Sequence, residues 1–247
     1  FSPHQDIISD RLRVLVALDS MRRGVLVVPV GTLMGRLPPP EFLARYSLSL
    51  KAGDRLDLDN MRQKLTRAGY RAVSQVTEHG EFAVRGSLLD LFPMGADTPM
   101  RVDLFDDEVE SIRMFDPESQ RSSEKVDGVD LLPAREVPID AEGIAKFRGA
   151  WRSRFEGDPT NSLVYTGVSD GNAPPGIEYY LPLFFDDTSS LFDYMPDDVL
   201  SIALDGVEDA AERLWSDTSD RYESRRYDIE RPVLTPAELY FQANEVF

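Results

Sequence analysis

The sequence contains no cysteine. That excludes disulfides, zinc ribbons and thiol nucleophiles together, and it fits a reducing compartment. Nor is there an apolar run near the roughly 20 residues needed to cross a bilayer. The longest, "VLVVPV" at Val25–Val30, is strand-sized. No Gly-Lys pair occurs anywhere, so the P-loop, whose backbone amides and lysine together cradle phosphates, is excluded. The two histidines, His4 and His79, stand far apart with no carboxylates at ligand spacing, which leaves no metal site and no cofactor to expect. Lysine is scarce as well, at positions 51, 64, 125 and 146 only. The chain opens on Phe1 with no secretory pattern, and it reads as starting inside a longer protein.

What is present is acid. Asp and Glu total 44 against 27 Lys and Arg, a net charge of −17. Such a chain repels polyphosphates at range, and it lacks the basic footprint of a DNA-binding domain. The positive charge is almost all arginine, the residue suited to planar, bidentate pairing with carboxylates at a protein interface. A length of 247 residues accommodates two compact units, and an apolar fraction of 42% gives them cores.

Organisation follows from periodicity. Residues 5–18 place Ile8, Leu12, Leu15 and Leu18 on one helical face. Val25–Val30 reads as a parallel strand buried on both faces, followed by a short helix that Pro38–Pro40 stop. After residue 46 come a short strand and a helix capped by Asp57 or Asp59, with Leu58, Met61, Leu65 and Ala68 at helical spacing and Gly69 at its C-terminal end. From 73 to 132 the period becomes two, with strands expected at about 73–78, 81–92, 100–105, 109–115 and 127–132. Beyond 133 the spacing predicts a helix over 141–155, an Asn/Gly/Pro-rich loop over 158–176, an apolar strand in "DVLSIALDG" and a long helix behind it. The terminal "PVLTPAELYFQANEVF" is open between packing and fraying.

Catalytic signals are weak. "GDPTNS" at 157–162 has the composition of a phosphate loop without its spacing, Asp106-Asp107-Glu108 reads as a hairpin turn, and Glu178 lacks a partner carboxylate. One constellation stands apart. In "MRVDLF", Met100, Val102 and Leu104 share one strand face, and Arg101, Asp103 and Phe105 share the other. Arg85 lies on a neighbouring strand, beside Gly86, which permits close approach or a bulge. Two readings stay open: a solvated sheet face with an internal Arg101–Asp103 pair, or an arginine-plus-aromatic contact patch of the kind enriched at interface hot spots.

The stretch from His79 to Ser122, "HGEFAVRGSLLDLFPMGADTPMRVDLFDDEVESIRMFDPESQRS", resembles the UvrA-binding domain shared by UvrB and the transcription-repair coupling factors. "GIEYYLPLFFDDTSSLFDYMPDDVL" at 176–200 is similar to the segment that follows it in those proteins, and residues 1–36 to the second half of their first, helicase-like domain. The resemblance favours the coupling factors over UvrB itself. "FSPHQD" runs straight into "IISDRL", leaving no room for UvrB's DNA-probing hairpin, and Asp205 is followed by Gly206, not by a hydrolytic glutamate.

The resemblance implies a mixed α/β and α+β architecture. Residues 1–46 are expected as the second half of a degenerate, RecA-like helicase domain. Residues 47–132 are expected as a UvrA-binding domain on a twisted antiparallel sheet, and 133–247 as a mainly helical segment packing on the first. It carries the UvrA contact onto Arg85, Arg101 and Phe105, with Asp103 in the same patch. Where UvrB has a second arginine, this chain has Ala83. The implied function is that of a non-catalytic adaptor in a bacterial cytoplasmic protein, which recruits nucleotide-excision repair through UvrA. RNA polymerase, DNA and ATP would then be handled elsewhere in the longer chain, and no membrane is involved. The alternatives are a UvrB-like ATPase or damage-binding module, and an internal autoinhibitory domain whose patch another part of the same chain covers.

Overall fold

The structure, a computed structural model, describes residues 3–247; Phe1 and Ser2, the start of the expected 1–46 domain, lie outside the described residues. Along the chain run α1 (Gln5–Ser20), α2 (Val30–Leu33), α3 (Pro40–Tyr46), β1 (Leu48–Lys51), α4 (Leu58–Arg67), β2 (Arg71–Ala72), β3 (Glu81–Arg85) and β4 (Leu88–Leu91). Next come β5 (Met100–Phe105), β6 (Glu108–Phe115), β7 (Ser122–Val126) and β8 (Gly128–Leu131). The remainder is helical: α5 (Ala141–Arg154), α6 (Leu163–Ser169), α7 (Val207–Arg225), α8 (Pro236–Leu239), α9 (Ala243–Val246) and three 3₁₀ turns. The chain is therefore mixed α and β. It divides into a sheet unit, Pro3–Val16 with Glu41–Pro138, and a helical unit, Ala17–Pro40 with Ile139–Phe247. The sheet unit thus takes in the first part of α1, which the 1–46 expectation had assigned elsewhere, and it continues past residue 132.

In the sheet unit, β1 and β8 form an antiparallel pair, and a second sheet runs in the order β2-β3-β4-β5-β6-β7. All pairings in that second sheet are antiparallel except the short β2–β3 pair. Alternation assigns the faces. Phe82, Leu89, Leu91, Val102, Leu104 and Ile112 point to one side and are buried. The opposite side is also partly covered by its own chain, because Val76, Ala83, Phe92 and Phe115 form a buried cluster with Val73 against it. Helix α4 begins where Asp57 accepts the Asn60 N–H at 2.7 Å, and it buries Met61 and Leu65. Gly69 closes it at φ 90°, the left-handed conformation that glycine adopts without cost. On α1, Ile8, Leu12, Leu15 and Leu18 are all buried, as their spacing predicts.

Several strand assignments differ. The expected 81–92 strand is two strands, β3 and β4, joined by the two-residue turn Gly86–Ser87. The expected 73–78 strand is absent, and the polar β7 was not foreseen. β7 is the edge strand, with four of its five residues exposed, so no hydrophobic alternation marks it in sequence.

The helical unit contains no named strand among its described residues. Val25 and Val27 of the expected buried strand are 89% and 85% exposed, and Leu200, Ile202 and Leu204 of "DVLSIALDG" are exposed as well. Both runs have strand composition, but a strand is defined by a hydrogen-bonded neighbour, and no described residues pair with either. The core of the unit is aromatic instead. Trp151 lies within 4.6–5.7 Å, ring centre to ring centre, of Phe147, Phe155, Tyr165 and Tyr180. The Tyr180 hydroxyl donates to the Pro232 carbonyl at 2.8 Å, and burial pushes its pKa up to about 12. Helix α6 lies inside the expected 158–176 loop, announced only by Ser162, whose hydroxyl accepts the Val164 N–H. The terminal segment packs: Leu234 is buried, Thr235 and Glu238 form a capping box, and Arg154 grips Glu238 through two 2.6 Å hydrogen bonds.

Glu81 stabilises the sheet unit in a way that titrates. Its nearly buried carboxylate accepts the N–H groups of Thr77 and Glu78 at 2.8 and 2.9 Å and the Arg71 guanidinium at 2.5 Å. Burial pushes its pKa up, but the two backbone donors and Arg71 outweigh it and hold the carboxyl below its ordinary value. A pKa lower in the folded state stabilises above the unfolded value of about 4.3 and is lost as pH falls through the folded value. Glu81→Gln is therefore expected to cost about 1–2 kcal/mol in urea unfolding at pH 7. The gap to the parent protein should narrow as pH falls below the ordinary carboxyl value, and a gap independent of pH would show that the charge contributes nothing.

Candidate partner-binding surface at the end of the sheet

β3 and β5 flank β4 and run the same way, so Arg85 and Phe105 end at the same edge of the sheet. Two tight hairpins set this edge. Arg85 pairs with Leu88 across Gly86–Ser87, and Gly86 takes φ 62° at the first turn position, where a type II′ hairpin wants glycine. Nothing lies within 4 Å of where a Gly86 Cβ would stand, so its role is the turn conformation, not the close approach or bulge expected from sequence. Phe105 pairs with Glu108 across Asp106–Asp107, and Asp106 takes φ 60°. The acidic run is thus a hairpin turn, and no group of three or more potential metal ligands exists among the described residues.

The four residues expected at the contact lie on one face but in different settings. Phe105 is 76% exposed, a large apolar side chain at a sheet end. The Arg85 side chain is 48% exposed and donates from Nη2 to Oδ2 of Asp90. Asp103 is half-buried and accepts the Ser111 hydroxyl at 3.2 Å. Arg101 is the outlier, with a side chain only 15% exposed. Its Nε and Nη2 donate to the two oxygens of Asp90 at 2.6 and 2.9 Å, and its Nη1 reaches the Gln120 carbonyl and the Ser122 hydroxyl, both at 3.2 Å. The guanidinium also lies 4.9 Å from the Phe115 ring centre. Hydrogen bonding to Asp90 drives its pKa upward, outweighing the opposing effect of burial.

The Arg101–Asp103 pair of the solvated-face reading gives way to hydrogen bonds from Arg101 to Asp90, with Asp103 acting on Arg101 through charge alone. Directly opposed residues on neighbouring strands bring their Cβ atoms to about 5 Å, closer than i and i+2 on one strand. Arg101 pairs across the ladder with Asp90, so the cross-strand carboxylate wins. Sequence reasoning passed over Asp90. Its signal was a charged residue between Leu89 and Leu91 in an otherwise apolar strand, in the parity that faces the arginines.

The remaining candidates have structural places. His79 hydrogen-bonds the Ala96 carbonyl at 2.8 Å and packs on Phe92, and Asp158 in "GDPTNS" caps a 3₁₀ turn through the Thr160 N–H. Among the described residues no helix is long and apolar enough to cross a membrane.

Comparison with known proteins falls on this same region. Residues 48–137 match the UvrB interaction domain. Over its whole length the chain is 50% identical to 22% of the transcription-repair-coupling factor of Escherichia coli strain K12, and 47% identical to 22% of that of Haemophilus influenzae. The Bacillus subtilis factor is 30% identical over 81% of this chain and 18% of its own length. The chain spans about a fifth of the length of the curated relatives it matches. Residues 48–137 thus match a UvrB interaction domain, and along its whole length the chain is similar to one stretch of the transcription-repair-coupling factors.

Proposed function

We propose that this segment is a non-catalytic adaptor that binds UvrA through the β3–β5 end of its sheet. In the longer protein it recruits excision repair to a stalled RNA polymerase. The observation that carries this reading is the exposed Phe105 beside a half-exposed Arg85, at the edge of a UvrB interaction domain. A solvent-facing phenylalanine gains nothing in the isolated fold. Desolvated between partner side chains, an aromatic of this size is a typical hot spot, and a neighbouring arginine supplies orientation and charge complementarity. The contact comprises Arg85, Asp103, Phe105 and Arg101, of which Arg101 is the most covered. Immobilised on a column, the chain should capture purified UvrA; absence of capture at micromolar concentrations would remove the adaptor reading.

The non-catalytic part has its own test. With no Gly-Lys sequence to hold β- and γ-phosphates, Mg-ATP has no built site in the segment. A ligand at 100 times its Kd stabilises a fold by about 2.7 kcal/mol, a shift easily seen by thermal melting. Millimolar Mg-ATP is expected to leave the melting temperature unchanged, and a clear rise would favour a UvrB-like nucleotide site instead.

A further inference from the structure

We propose that Asp90 is a positioning residue for the recognition surface: its buried carboxylate fixes Arg85 in its partner-facing pose before binding, with Arg101 as the anchor beneath. This rests on the reading of the sheet end as the UvrA contact. Asp90 is fully buried on β4, and both its oxygens are used. Oδ1 accepts Arg101 Nε, and Oδ2 is shared between Arg101 Nη2 and Arg85 Nη2. The two guanidinium groups divide the work. Arg101 spends its donors inward, on Asp90, Gln120 and Ser122, and is covered. Arg85 gives Asp90 one nitrogen of its five-donor fork, and its side chain is half-exposed.

The consequence is preorganisation. A free arginine loses rotamer freedom when a partner captures it, and holding it beforehand is worth about three- to tenfold in affinity. Asp90→Asn keeps the shape and removes the charge. It is expected to weaken UvrA binding about three- to tenfold in the parent protein and to add nothing in an Arg85→Ala background. A loss of equal size in both backgrounds would mean that Asp90 acts through the fold, and no loss in the parent would mean that Arg85 needs no positioning; either overturns the proposal. If Arg85→Ala itself binds UvrA like the parent, the surface reading falls first, which separates the two failures. A second measurement needs no variant: guanidinium NMR of the free protein should show resolved, slowly rotating Nη signals for Arg85. Averaged Nη signals for Arg85, with those of Arg101 resolved, would overturn the proposal even if Asp90→Asn does not fold.

Discussion

Arg101→Ala is expected to destabilise the sheet unit by about 3 kcal/mol, the largest single-site effect among the residues proposed for the contact. Removing one partner of a buried ion pair typically costs about 3–5 kcal/mol, because the other charge stays behind without compensation. Here the residual charge is Asp90, with no exposure and only Arg85 left to it. That remaining partner places the expected loss at the lower end. Urea unfolding of the parent and the variant measures it directly, and a loss below about 0.5 kcal/mol would mean that Arg101 is not the anchor its burial indicates. The effect matters for interpretation: a UvrA defect in Arg101→Ala mixes loss of contact with loss of structure, so this residue alone cannot define the surface.

Arg85→Ala and Phe105→Ala are the clean probes. Each should weaken UvrA binding by about 2 kcal/mol, the threshold for an interface hot spot, which is a roughly 30-fold rise in Kd. Their stability should change little. Phe105 is largely exposed, and removing Arg85 leaves Asp90 doubly bonded to Arg101. The two variants should differ in salt dependence. Loss of the guanidinium flattens the dependence of association on ionic strength, whereas loss of the phenyl ring lowers affinity with the slope unchanged. If both variants melt early and bind UvrA normally per folded molecule, the residues support the sheet and recognise nothing.

Much of this architecture is legible in the residues, and the failures share a cause. Helices α1 and α4 could be read because their signals are local: apolar spacing at 3.6 residues, with Asp57 or Asp59 as the candidate cap of α4, of which Asp57 is the one used, and Gly69 as its stop. Strands depend on neighbours. Val25–Val30 and Val199–Leu204 have strand composition, yet nothing in the described chain pairs with them. Ser122–Val126 has none and is a strand, because β6 offers it an edge. The placement of the residues proposed for the contact was legible to the same extent. Alternation placed Arg101, Asp103 and Phe105 on one face correctly. What separates an exposed Arg85 from a buried Arg101 is the pairing of β4 with β5 and the cover given by Phe115, Gln120 and Ser122. Those are contacts between residues up to 21 apart in sequence, which periodicity cannot see.

Hydrogen–deuterium exchange of the chain with and without UvrA tests the central claim most directly, since it locates the contact without altering a residue. The Gly86–Ser87 and Asp106–Asp107 turns join the strands at the proposed edge, and turn amides of this kind exchange readily in the free protein. The account predicts new protection at these two turns and at the ends of β3 and β5 when UvrA is bound. Protection confined to the helical unit, or none at saturating UvrA, would contradict it.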